Sequence, residues 1–280
     1  MKLSNDVFLG CECPYDDAKI AMFSAPFDST TSFRPGARFA GKVIRADSFG
    51  IETYSPYLDK DICDLSVADC GELELSFGNA ERALDMIEST VSKILNDGKK
   101  PLMIGGEHLV TLGAVRAMLK TYPDLCIIHF DAHADLRDDY LGEKLSHASV
   151  MRRCFDILGD GRIFQFGIRS GEREEFDFAK KHTIMRKFDF CEFGTHLNAL
   201  KGKPVYFSLD LDVLDPSVFP GTGTPEPGGV SFKELLECVH QLQDINIVGC
   251  DVCELSPPYD PSGISTAAAC KIIRELIMIF

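Results

Sequence analysis

Leu125-Cys126-Ile127-Ile128-His129-Phe130-Asp131-Ala132-His133-Ala134-Asp135 is the stretch from which the fold can be read. Its first six residues are apolar and rich in Ile and Leu, the composition of a strand buried on both faces. The two aspartates and His133 therefore stand where a buried strand ends. Leaving two carboxylates there unpaired would cost several kcal/mol each, so a positive partner has to be close, and a metal ion is the simplest one. With side chains alternating along an extended chain, positions 131, 133 and 135 are expected to project the same way and converge. The competing reading is a solvated acidic turn with a hydrogen-bonded histidine; a D-x-H-x-D run alone is too short to decide between them.

Two further stretches repeat the pattern. Pro101 to Ile104 is a short apolar run leading into Gly105-Gly106-Glu107-His108, where the glycines are expected to let the backbone turn tightly before a helix. Val205 to Leu209 delivers Asp210-Leu211-Asp212 in the same manner. Sites in α/β proteins form at the carboxyl ends of parallel strands, so His108, Asp131, His133, Asp135, Asp210 and Asp212 can face one crevice. Four carboxylates and two imidazoles without cysteine favour manganese over zinc. Six ligands exceed what one ion with an open position needs, and they suit two ions sharing aspartates. Two divalent cations would also balance the four aspartates, leaving a neutral core in which a shared water becomes a hydroxide nucleophile.

Gly-Gly-Glu-His at 105–108, Asp-Ala-His-Ala-Asp at 131–135 and Ser-Leu-Asp-Leu-Asp-Val-Leu-Asp-Pro at 208–216 resemble, in order and spacing, the three metal motifs of the ureohydrolases, the arginase and agmatinase family. Pro26-Phe27-Asp28, Arg34-Pro35-Gly36-Ala37-Arg38 and Gly221 to Gly229 extend the resemblance over nearly the whole chain, and these flanks are most similar to bacterial agmatinases. The resemblance implies manganese-dependent hydrolysis of agmatine to putrescine and urea, a step of polyamine biosynthesis. By the same transfer, His108, Asp131, Asp135 and Asp210 would hold one Mn2+, and Asp131, His133, Asp210 and Asp212 the other. Glu226 matches the glutamate that binds the guanidinium, a flat cation able to give a carboxylate two parallel N–H bonds. Asp135 would carry a proton to the leaving nitrogen. His147 matches a loop histidine that relays protons at the mouth, although a histidine beside Ser146 at a helix start can also be a neighbour of a cap. The family forms trimers or hexamers, so a homo-oligomer is implied.

Composition agrees with an enzyme of this kind. The 280 residues are 45% hydrophobic and 26% charged, ordinary values for a soluble protein. No apolar run reaches membrane-spanning length and Met1 to Asp17 has no signal-peptide core, so a cytoplasmic protein is expected. Eleven cysteines, an odd number scattered along the chain, read as reduced thiols; Cys11-x-Cys13 and Cys250-x-x-Cys253 have the form of redox or metal pairs, but the second lies inside an apparent strand and fits buried thiols better. A net charge of −14 disfavours nucleic acid and anionic membranes and is consistent with a cationic substrate.

Along the chain, strands are expected at 20–25, 62–68, 101–104, 125–130, 162–167, 183–186, 204–209 and 245–252. Between the second and third, Asn79 caps a helix whose Leu84, Ile87, Val91, Ile94 and Leu95 recur at helical spacing up to Gly98. Strands alternating with helices define an α/β fold, a three-layer α-β-α sandwich around an eight-stranded, mostly parallel sheet, and the absence of linkers predicts one domain over 1–280. The Pro- and Gly-rich stretch 216–229 is a stiff loop at the site.

Substrate choice is less legible. The loop 136–146 and the segment 169–175 should line the entrance, where Asp138, Asp139, Glu143 and Glu172 favour an amine tail. Arg137 would favour a carboxylate tail if it points inward, keeping guanidinobutyrate, arginine and formiminoglutamate as alternatives, and is neutral if it pairs with Asp138 or faces solvent. Asp251 and Glu254 are expected either to orient the metal-binding histidines or to join a core ion pair. His129, His182, His196 and His240 read as structural. Leu276 to Phe280, an apolar terminus, packs on the sheet or forms an oligomer contact. A two-metal phosphoesterase would show an Asn ligand in a Gly-Asn-His turn, absent here, and a non-catalytic relative would have lost a ligand or Glu226.

Overall fold

The computed structural model describes residues 6–280; the extreme N-terminal part of the Met1 to Asp17 reading lies outside them. The strands are β1 (Ile20–Ser24), β2 (Tyr54–Ser55), β3 (Lys60–Asp61), β4 (Val67–Glu72), β5 (Lys100–Ile104), β6 (Cys126–Phe130), β7 (Ile163–Ile168), β8 (Ile184–Lys187), β9 (Val205–Asp210) and β10 (Ile247–Cys253). The helices are α1 (Ala40–Asp47), α2 (Ala80–Asn96), α3 (Val110–Thr121), α4 (Val150–Leu158), α5 (Arg173–His182), α6 (Phe193–Leu197), α7 (Phe232–Gln241) and α8 (Ile264–Ile279).

Eight strands form one sheet in the order β4-β1-β5-β10-β9-β6-β7-β8, and every neighbouring pair is parallel. Buried side chains gather in two clusters, one per face. One joins α1, α6, α7 and α8 to the sheet; the other joins α2, α3, α4 and α5. This is the expected three-layer α/β sandwich. The strand order also explains how distant motifs meet. After β5 the chain skips to β6, builds out to β8, and returns to place β9 and β10 in the gap, so the carboxyl ends of β5, β10, β9 and β6 lie side by side at the sheet's centre.

Local chemistry accounts for the elements. Asn79 accepts a hydrogen bond from the Arg82 N–H at the start of α2, and Gly98, with φ of 73°, closes it. Leu276, Ile277 and Met278 of α8 are buried in the core against the sheet, while Ile279 and Phe280 are partly buried beside them.

Two departures from the sequence reading have simple causes. Ile62–Asp64 is a single 3-10 turn rather than strand, because the Asp61 carboxylate takes the Cys63 N–H and caps it; the strand begins only at Val67. The antiparallel β2–β3 hairpin was not anticipated, since two-residue strands carry no periodicity to read.

Candidate active site

The predicted ligands sit at the end of β9 (Asp210) and on the loops that leave β5, β6 and β9. Gly105 and Gly106 serve close approach rather than a positive-φ turn: a Cβ at Gly106 would lie 1.9 Å from the Phe27 carbonyl oxygen, and one at Gly105 would lie 2.4 Å from Cys253 Sγ. Only glycine lets this loop press against the ends of β1 and β10 and carry His108 inward. Nor do residues 131–135 continue β6 with alternating side chains. The strand ends at Phe130, and Asp135 adopts a left-handed conformation with φ of 54°. Such a backbone in a non-glycine residue costs of order 1–3 kcal/mol and is characteristic of sites. Irregular backbone, not strand periodicity, makes these side chains converge.

They do converge. His108 Nδ1 lies 3.0 Å from Asp131 Oδ2, 3.2 Å from Asp210 Oδ2 and 3.4 Å from Asp135 Oδ2. His133 Nδ1 lies 3.0 Å from Asp212 Oδ2 and 3.5 Å from Asp131 Oδ1. Two groups thus have the closeness that a metal ion requires, His108, His129, Asp131 and Asp135 in one and Asp131, His133 and Asp212 in the other, with Asp131 common to both. All six predicted ligands are brought together. His129 joins them unforeseen: its Nε2 is 2.8 Å from Asp131 Oδ2 and its Nδ1 faces Gln165 Nε2 at 3.1 Å. The only signal available for it was its place two residues before Asp131 in the sequence.

The electrostatics favour a cation. Burial raises the Asp210 carboxyl well above its usual range, with the charges of Asp212 and Asp131 adding to the effect. Asp135 is pushed up to about 7 by burial and by Asp131, whereas hydrogen bonds from His108 and His129 hold Asp131 well below its ordinary value despite its burial. Among the described residues these carboxylates pair with histidines and with no lysine or arginine. Two divalent ions would match four carboxylates in charge, and an oxygen- and imidazole-rich donor set fits hard or borderline metals.

Surrounding groups hold the ligands. His108 Nε2 is 2.8 Å from Ser208 Oγ, which donates to Asp251 Oδ1 at 2.8 Å; Asp251 also accepts from Tyr206 and Thr111 hydroxyls at 2.7 and 2.8 Å. Asp251 therefore orients the imidazole through Ser208. Glu254 accepts the His108 backbone N–H at 2.9 Å. Neither acid joins an ion pair with lysine or arginine among the described residues.

A cavity of about 270 Å³ opens beside the cluster, lined by His133, Asp135, Arg137, Tyr140, His147 and Glu172 among others. His147 faces it, its Nε2 3.0 Å from Ser32 Oγ, and burial pushes its imidazole down to about 4. Arg137 does not pair with Asp138. It meets Glu172 Oε1 at 2.7 Å and Glu175 Oε2 at 3.6 Å and lies over the Tyr140 ring, while Asp138 turns to Arg152 and Arg153 on α4. Glu172 is correspondingly compensated, and Asp138, Asp139 and Glu143 do not line this cavity. Glu226 is half-buried and its carboxylate pairs with no cationic side chain among the described residues. Its backbone carbonyl is gripped by Arg169 Nε and Nη2 at 3.0 and 2.7 Å, and the same guanidinium donates to the carbonyls of Gly167, Asp212, Val213 and Leu214. Arg169 thereby binds the Glu226 loop to the Asp212 loop, a role the sequence did not announce. Of the histidines read as structural, His182 pairs with Asp160 at 2.6 Å, His240 with Glu275 at 2.8 Å, and His196 packs on Phe166. The eleven cysteines are free thiols, and Cys250 and Cys253 are buried in β10 with burial raising both.

A parallel sheet between helical layers, with clustered aspartates and histidines at its central strand ends, defines a three-layer α/β protein with a metal-competent site. The Arginase family model matches residues 18–279, and the chain belongs to that family as a ureohydrolase. It is 47% identical to the agmatinase of Bacillus subtilis (strain 168), over 99% of this chain and 97% of that one. A Clostridium difficile crystal structure superposes with a TM-score of 0.93 at 52% identity, covering 95% of this chain and 98% of that one. The agmatine ureohydrolase of Thermoplasma volcanium does so with a TM-score of 0.90 at 37% identity, covering 99% and 94%. No helix among the described residues is long and apolar enough to cross a membrane.

Proposed function

We propose that the protein hydrolyses agmatine to putrescine and urea using two Mn2+ ions per subunit. The observation that carries this is Asp131, shared between two metal-competent groups beside a cavity lined by acids. His108, Asp131, Asp135 and Asp210 would hold one ion, and Asp131, His133, Asp210 and Asp212 the other. When bound, such a pair supplies Lewis acidity and brings a water's pKa near neutrality.

The chain's own residues do the rest. Glu226, unpaired and held by its backbone, receives the guanidinium's parallel N–H groups and fixes the flat cation against rotation. Asp135 takes the proton given up by the attacking water and carries it to the departing amine. His147 exchanges protons with solvent at the mouth. The agmatine preference is supported by the similarity to agmatinases; Glu172 and Glu175 in the cavity wall already face Arg137. Arg137 in the same wall favours a carboxylate-bearing substrate, but its ion pair with Glu172 occupies it. One domain over 1–280 is supported by a single sheet running from Ile20 to Cys253. A cytoplasmic homo-oligomer, trimer or hexamer, without nucleic-acid or membrane partners, and a place in polyamine biosynthesis extend the reading on family resemblance.

The test is to supply manganese and measure urea release from agmatine, arginine and guanidinobutyrate, with formamide release from formiminoglutamate. Urea from agmatine at a kcat/KM far above the others is the expected result. Release from guanidinobutyrate or arginine alone would reassign the substrate, and formamide alone would reassign the reaction.

A further inference from the structure

Glu107 stands in the Gly-Gly-Glu-His run beside His108, is fully buried, and does not line the reaction cavity. Its carboxylate has no lysine or arginine partner among the described residues; it is satisfied by the segment Thr30-Thr31-Ser32. Thr30 gives Glu107 both its backbone N–H, at 2.9 Å, and its hydroxyl, and the Thr31 hydroxyl adds a contact at 3.2 Å. The main chain ties the same regions together, since Glu107 N–H donates to the Phe27 carbonyl at 2.7 Å.

That segment in turn holds His147 at both ends. The His147 backbone N–H donates to Thr30 Oγ1 at 3.1 Å, so one hydroxyl links the glutamate to the histidine. At the ring, Ser32 N–H donates to His147 Nε2 at 3.2 Å, and Ser32 Oγ lies 3.0 Å from the same nitrogen. A ring nitrogen that accepts an N–H carries no proton, which leaves the proton of the neutral imidazole on Nδ1.

We propose that Glu107 is a positioning residue for His147: it anchors residues 30–32, and they fix the orientation and tautomer of the cavity histidine. The sequence neighbourhood assigns Glu107 to the metal site, but its hydrogen bonds run the other way, toward the mouth. This clamp rests on the reading of His147 as a proton relay, and relays depend on a defined tautomer and a short, aligned path.

The experiment uses the manganese-loaded protein and the variants Thr30→Val, which keeps the side chain's shape and removes the linking hydroxyl, and Glu107→Gln. Diethylpyrocarbonate modification of His147, followed by mass spectrometry without substrate, reports whether Nε2 is held by Ser32. Both variants are expected to speed that modification several-fold while retaining wild-type metal content. In urea release each should lower kcat by about tenfold with KM changed less than about twofold, and add nothing further on a His147→Asn background. Unchanged modification rates in both variants, or kcat losses that multiply on the His147→Asn background, would overturn the clamp. Ser32→Ala gives a third readout should one variant fold poorly, and it too must accelerate modification. Absence of urea release by the wild-type protein would overturn the ureohydrolase reading, while the modification rates would still decide on the clamp.

Discussion

Asp131 carries more of the site than any other residue. Its two oxygens face different histidines: Oδ2 contacts His108 and His129, and Oδ1 lies toward His133 and accepts that residue's backbone N–H at 2.5 Å. Asp131→Asn keeps the size of the side chain but removes the charge that both metal-competent groups share. The variant is expected to lose most of its bound manganese and all measurable turnover, as read by elemental analysis and urea assay. His147→Ala, by contrast, leaves the cluster intact and should slow turnover by about 10²-fold, in the range of general acid–base groups, with metal content unchanged. The six candidate ligands were legible in the sequence because each stands at the end of an apolar strand or a few residues past it. His129 was not, because its acidic partner is the very residue expected to face a metal. The partner of Arg137 was not legible because a linear sequence offers Asp138 as its neighbour, whereas the loops place Glu172 beside it and turn Asp138 toward α4.

At the scale of elements, loops rather than strands set the geometry, and their anchors are polar. Arg169 fills its hydrogen-bonding capacity with carbonyls from two loops, and Asp215 accepts the N–H groups of Gly228 and Gly229 at 2.8 and 3.0 Å. Arg169→Lys cannot span those carbonyls with one ammonium. It is expected to raise KM by about tenfold through loss of the Glu226 position, with a smaller effect on kcat, in steady-state kinetics. Helix α8 is tied down by Glu275, which accepts from Ser55 Oγ at 2.8 Å, sits 2.8 Å from His240 Nε2 and pairs with Arg274. Burial opposes ionisation of Glu275, but hydrogen bonds from Arg274, His240 and Ser55 outweigh it and lower the pKa. A lowered folded-state pKa means that the stabilisation is complete above the unfolded-state carboxyl value, near 4.3, and is lost as pH falls through the folded value. Glu275→Gln should therefore cost about 1–3 kcal/mol at neutral pH, with the gap in Tm to the wild type closing progressively below about pH 4 in thermal unfolding. Neither anchor could be read beforehand: Glu275 lies far along the chain from Ser55, and Arg169 works through backbone carbonyls, which carry no residue identity.

Over the whole molecule, the sheet's strand order makes the site, and the site in turn should stabilise the sheet. Periodicity and strand composition were enough to locate the eight strands of the sheet, with the second misplaced toward Ile62: the inner strands are apolar and buried along nearly their whole length, while the edge strands β4 and β8 carry polar, partly exposed residues. The order in which they lie is not written in periodicity, and neither is the return of β9 and β10 between β5 and β6. Four acids brought together at the carboxyl end of one sheet repel each other, so divalent ions that bind only the folded chain should raise its stability, by about 2.7 kcal/mol for each occupied site at a hundredfold excess over Kd. A chelator is accordingly expected to lower the Tm of the wild-type protein and to leave that of Asp131→Asn nearly unchanged. The central claim, that side chains from three strand ends gather two ions around Asp131, is tested most directly by anomalous diffraction from manganese-loaded crystals. The account predicts two peaks, one on the His108 side of Asp131 and one on the His133 side; a single peak, or peaks away from these carboxylates, would contradict it.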